Sequence, residues 1–261
     1  MYAPDDNPET VKRSACAFKA GRRSAAVAAT IGAAASSTQT RRLHDRMTAS
    51  RTPLLTALLI ATIIALLASG WRPYDRLTWL MEVLPVLIAL PLLIATRERY
   101  PLTTLLYVLI FVHGLVLILG GAYTYARVPA GHWVQEAFDL SRNPYDKLGH
   151  FMQGFVPAII AREILIRGEH VHGRRMTVFL CVCVALAISA FYELIEWWSA
   201  LALGQGADEF LGTQGDPWDT QSDMLLALIG AIAALLALSG VHDRQLQAQR
   251  SGFSSGHRPP R

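Results

Sequence analysis

Charge is what this sequence has least of. Only 17% of its 261 residues are Asp, Glu, Lys or Arg, while 52% are apolar. A soluble domain carries about a quarter charged residues, and here the shortfall is concentrated in long apolar blocks. Mean hydropathy is +0.30. These features exclude a water-soluble globular domain and point to an all-helical integral membrane protein. Cysteine is scarce too: there are three, and no CxxC spacing, which excludes a disulfide framework or a zinc ribbon. Cys181 and Cys183 lie inside an apolar block and Cys16 in a polar one, so all three read as small packing residues. No HExxH string occurs, which removes the commonest zinc hydrolases. The glycines of "GQGADEFLGTQG" lack the strand-to-helix context of a phosphate loop, and Ser189 sits in no nucleophile elbow. The basic residues form no stripe interleaved with aromatics, so nucleic acid is not an expected partner.

Six apolar blocks are present. They run Pro53–Gly70, Trp79–Thr96, Leu102–Ala122, Leu148–Ile166, Thr177–Trp198 and Asp223–Val241. Each is close to the ~20 residues that a membrane helix needs. The fourth is the weakest, because it holds His150, Gln153, Arg162 and Glu163. Pro85, Pro91 and Pro157 fall inside blocks, where kinks rather than breaks are expected. Residues 1–50 are rich in Ala, Ser and Arg without large apolar residues at helical spacing. They read as a disordered tail, with translation from Met47 as the alternative. Residues 51–241 form the six-helix membrane domain, and 242–261 read as a second disordered tail.

Basic residues cluster before the first block, in "RERY", in "RGEHVHGRR" and in the C-terminal segment. Ser199–Ser222 has no Lys or Arg. The positive-inside rule then places both termini in the cytoplasm. In that topology Trp71, Trp79, Trp197, Trp198 and Trp218 form an outer aromatic belt.

The same topology sets polar residues from separate helices at one depth, near the outer surface. Glu82, Tyr125, Asp146, Lys147, His150 and Gln153 share it with Glu193, Glu196, Asp216, Asp219 and Asp223. Glu193 and Glu196 are i,i+3; Asp146 and His150, and Asp219 and Asp223, are i,i+4. Such residues are costly in a bilayer and are functional candidates by default. Carboxylates with one imidazole suit a divalent cation, with His150, Glu193, Asp219 and Asp223 as candidate ligands. "GDPWDTQSD" reads as a helix start with acidic residues at the positive end of the dipole. His113 reads as a core histidine whose hydrogen bonds are met, and His132, His170 and His172 as loop residues. Arg162 and Glu163 read as a snorkelling pair near the inner face, and His242 as part of the cytoplasmic exit.

"RNPYDKLGHFMQGFVPAIIAREIL", "ISAFYELIEWW" and "FLGTQGDPWDTQSDMLLALIGA" closely resemble the YjdF-type bacterial inner-membrane proteins, as does "YTYARVP". The resemblance runs from about Arg72 to Leu238 and implies a multi-pass protein of the bacterial inner membrane. A looser resemblance to VanZ-like membrane proteins rests on "DKLGHF", Glu193, and Asp219 with Asp223. Glu196 stands where that family tends to have Gln, and its Arg upstream of the Asp pair has no counterpart in this sequence. The expected function is binding of a cation, or of a cationic or lipid-linked ligand, in an outer acidic pocket. Metal-dependent hydrolysis or transfer on a membrane substrate and a structural scaffold with a buried polar network are the alternatives. Transport ranks below them, because only Arg162 and Glu163 reach the inner half.

Overall fold

Apolar blocks without polar alternation cannot form strands that hide one face from water, and in lipid each backbone amide must bond within its own segment. A computed structural model accordingly shows helices, and it describes residues 51–204 and 213–254. One compact unit spans Thr52–Ala248. Residues 1–50, read as a disordered tail with Met47 as the alternative start, and Cys16 within them lie outside the described residues.

The helices are α1 (Arg51–Trp71), α2 (Arg76–Thr96), α3 (Thr104–Tyr123), α4 (Pro129–Ala137), α5 (Tyr145–Arg167), α6 (Arg174–Leu203) and α7 (Asp219–Ser254). Among the described residues, five are long and apolar enough to cross a bilayer: α1, α2, α3, α6 and α7. α5, which coincides with the fourth apolar block, is long enough but too polar to join them.

Its place in the bundle explains this. α5 packs against α6 and α3, and against α7 through glycine. A Cβ on Gly154 would overlap the Ala227 carbonyl, and one on Gly230 would overlap the Phe151 carbonyl. Small residues at such crossings let backbones approach closely. Surrounded on three sides, α5 buries His150, Arg162 and Glu163 against protein, so its low hydropathy reflects a central position. α1 is the opposite case, burying only Thr62.

The apolar core joins Leu106, Ile159, Cys181, Ala185, Ala231 and Leu235 from four helices. Cys181 packs there, whereas Cys183 is exposed. Pro85, Pro91 and Pro157 lie in helices that continue through them. The Asp75 carboxylate caps α2 by accepting from the Thr78 N–H at 2.7 Å. That bond holds its carboxyl below the usual range.

Three features depart from the sequence reading. A 3-10 turn (Tyr125–Arg127) and the short α4 fill the link between α3 and α5. α4 and its C-cap residue leave Trp133 and Phe138 exposed, an amphipathic pattern too short to register as a span. α7 also runs past Val241, where a disordered tail was expected, to Ser254. Fully buried His242 and nearly buried Leu246, with Gln245 accepting from the Leu105 N–H at 2.9 Å, anchor this extension to α3.

Candidate functional site

The first turns of α2, α5 and α7 and the last turns of α3 and α6 meet at one end of the bundle. The residues that share a level in sequence therefore meet in space. His150 is their centre, 5% exposed. Its Nε2 lies 3.4 Å from Asp146 Oδ1 and 3.8 Å from Asp223 Oδ2. Its Nδ1 lies 3.7 Å from Glu193 Oε1 and 3.2 Å from Gln153 Oε1. Two groups of donor atoms each lie within 4.8 Å of one another: Asp146, His150 and Asp223, and His150, Glu193 and Glu196. Glu82, from α2, accepts a hydrogen bond from Tyr192 Oη at 3.1 Å.

Two of the candidate ligands have a separate task. The Asp219 carboxylate takes the Arg142 guanidinium and the Lys147 ammonium at 2.9 Å. Lys147 also donates to Asp223 at 2.7 Å and to Ser222 Oγ at 2.5 Å. Asp219 belongs to neither donor group, so it drops out of the metal set expected from sequence. Its helix places it one turn too early, against the two cations. Asp216 stays at the rim, 3.9 Å from Arg142, with its carboxylate capping the Trp218 N–H.

Arg142 is the residue that sequence reasoning missed. It lies outside every apolar block, so nothing local marks it. It donates to the Thr213 carbonyl at 2.6 Å, while Asn143 and Gln214 exchange two hydrogen bonds at 3.0 Å. The segment before α7 is thereby clamped over the entrance to α5. The clamp also supplies, from a different place in the chain, an Arg partner for the first Asp of the pair.

Carboxyl groups outnumber the fixed cations. Glu82, Asp146, Glu193, Glu196, Asp219 and Asp223 are all buried, and Arg142 and Lys147 are the fixed cations among them. Asp146 Oδ2 and Glu193 Oε1 are buried without a hydrogen-bond partner, as are Ser189 Oγ and His113 Nε2. His113 is thus not the satisfied core histidine of the sequence reading. It faces a cavity of about 190 Å³ that begins at Glu82, Asp146, His150 and Glu196 and descends past Tyr125 and Tyr192 to Leu117 and Pro157. Tyr125 itself is wedged between Gly120 and Gly149, where a Cβ would strike its ring.

A second polar cluster occupies the opposite ends of α3, α5 and α7. Glu163 is fully buried. It accepts from the Thr103 N–H at 3.1 Å, Thr103 Oγ1 at 2.8 Å and Arg167 at 2.8 Å. His242 Nε2 lies 3.0 Å from it. Arg162 bridges His242 Nδ1 at 2.9 Å and Asp243 at 2.6 Å. These residues do not snorkel separately to water, as the sequence suggested. The extension of α7 brings His242 over Glu163 and closes them into one network.

A family profile described as "Predicted membrane protein (DUF2238)" matches residues 54–244. The chain belongs to this family. The inner membrane protein YjdF of Escherichia coli (strain K12) is 61% identical over 212 residues, covering 80% of this chain and 100% of that protein. No solved structure matches. The sequence resemblance to YjdF-type proteins therefore holds, and the chain is an α-helical protein of the bacterial inner membrane, residing in the lipid bilayer.

Proposed function

We propose that the protein is a six-span receptor for a cation or a cationic ligand, which enters the His150 hollow from the periplasmic side. The observation that carries this reading is the surplus of carboxyl groups over hydrogen-bond donors. Carboxylates from α5, α6 and α7 surround one imidazole, and two of their oxygens accept no hydrogen bond. A buried polar oxygen left without a hydrogen bond is costly, so a site built only for stability would not keep two. The opposite cluster is the contrast, because each Glu163 oxygen there has its donors.

Two features support the outward orientation. All six tryptophans fall at or near the hollow end, as an interfacial belt requires. Arg97, Arg99, Arg167, Arg174, Arg175 and Arg244 fall at the other, as cytoplasmic loops require. α5 completes the even number of crossings.

The test is equilibrium binding of Mg²⁺, Mn²⁺ and Zn²⁺ and of small amines to detergent-purified protein. Wild type is compared with His150→Ala and Asp223→Asn, and folding is followed by circular dichroism. Saturable binding that weakens at least about tenfold in folded variants is expected. If no cation binds the wild type and the variants melt unchanged, the reading fails.

A further inference from the structure

Resting on the cation-binding reading above, we infer that the ligand is a small organic ammonium ion with an apolar body about one ring in size. The cavity is not uniform. Its upper part presents Glu82, Asp146 and Glu196, while its lower walls are Pro85, Leu117, Pro157 and Ile188. A metal ion would use only the upper part and would leave an apolar floor filled by water with few polar partners, which is unfavourable.

Size narrows the choice. An apolar cavity of about 150 Å³ accommodates benzene, and this one measures about 190 Å³. One ring with a one-carbon arm fits; a lipid chain does not. The boundary between the two parts is aromatic, with Tyr125 and Tyr192 lining the cavity beside the carboxylates. Aromatic rings next to carboxylates favour ammonium groups, whose charge is spread over polarised C–H and N–H surfaces. Asp146 is 7% exposed and lines this cavity, with its Oδ2 4.0 Å from Arg142 Nη2 and accepting no hydrogen bond. Its carboxylate supplies an acceptor for the ammonium. His113 Nε2, also without a partner, lines the cavity from the middle of α3. It favours a ligand whose far end bears a hydrogen-bonding group.

Benzylamine, its neutral analogue benzyl alcohol, and 4-hydroxybenzylamine are the probes, compared with Mg²⁺ and Mn²⁺ by calorimetry on the full chain. Benzylamine should bind at least about tenfold tighter than benzyl alcohol. The para hydroxyl should tighten binding further, and His113→Phe should remove that increment. Leu117→Trp, which fills the apolar floor, should abolish amine binding. Metal binding without amine binding would overturn the ligand class and leave the cation site standing. Equal affinity for amine and alcohol would also overturn it, because the carboxylates would then have no part in recognition. If neither amines nor metals bind, the inference and the reading beneath it fall together.

Discussion

Glu163→Ala tests which polar cluster holds the helices together. Glu163 receives donors from Thr103, Arg167 and His242, at distances from 2.8 to 3.1 Å. A hydrogen bond to a charged group contributes about 1.5–3 kcal/mol, but bonds that share one acceptor group are not additive. The closer analogy is removal of one partner from a buried ion pair, which costs about 3–5 kcal/mol. His242, itself fully buried, is left facing the space. At roughly 2–4 °C per kcal/mol for a domain of ~150–250 residues, the variant should melt roughly 6–20 °C below wild type. The assay is thermal unfolding in detergent, followed by circular dichroism. Glu163→Gln keeps one carbonyl acceptor and the shape, and should lose about half as much. An alanine variant melting within about 3 °C of wild type, equivalent to about 1 kcal/mol, would refute the view that this network ties α3, α5 and α7 together.

Gly154→Val should destabilise by about 1–3 kcal/mol through overpacking, because a Cβ there meets the Ala227 carbonyl; chemical unfolding of the variant reads this. Arg142→Met should cost about 1.5–3 kcal/mol through the bonds lost from Asp219 and Thr213 and should raise protease cleavage near residues 213–218, which it clamps. Asp75→Ala should cost about 0.5–2 kcal/mol at neutral pH through loss of the helix cap. The folded state lowers the Asp75 pKa, so its ionised form contributes stability above the ordinary carboxylate range. That contribution is lost as pH falls through the folded value, and wild type and variant should converge in melting temperature in acid.

Much of the fold was legible because bilayer length and apolar composition are strong constraints. Each of the six apolar blocks lies within a helix, except at the first two residues of the third block. The ends were less legible. Runs such as "HDRQLQAQR" are polar, and only the tertiary contacts of His242 and Leu246 show why α7 persists through them. α4 was missed because nine residues carry too little periodicity to separate from a loop. The polar content of α5 was read as weakness, whereas it follows from packing on several sides at once.

The site was legible for a different reason. A polar residue in a membrane helix has few neighbours that tolerate it, so residues at one depth on adjacent helices tend to meet. Depth alone placed Glu82, His150, Glu193 and Asp223 together across four helices. It did not show which carboxylates are already paired, because the cations responsible, Arg142 and Lys147, enter from a link and a helix start. That division matters for function. Asp219 and Asp223, on α7 next to the clamped segment, are hydrogen-bonded to Arg142 and Lys147, whereas Asp146 and Glu193, which flank His150, each keep an oxygen that accepts no hydrogen bond, Asp146 Oδ2 lying 4.0 Å from Arg142. A ligand can therefore add a hydrogen bond at Asp146 and Glu193 without breaking those that Arg142 and Lys147 make to Asp219 and Asp223. An acidic hollow that had evolved only to hold helices would more simply have used the arrangement at the other end of α5, where Glu163 has a donor at each oxygen.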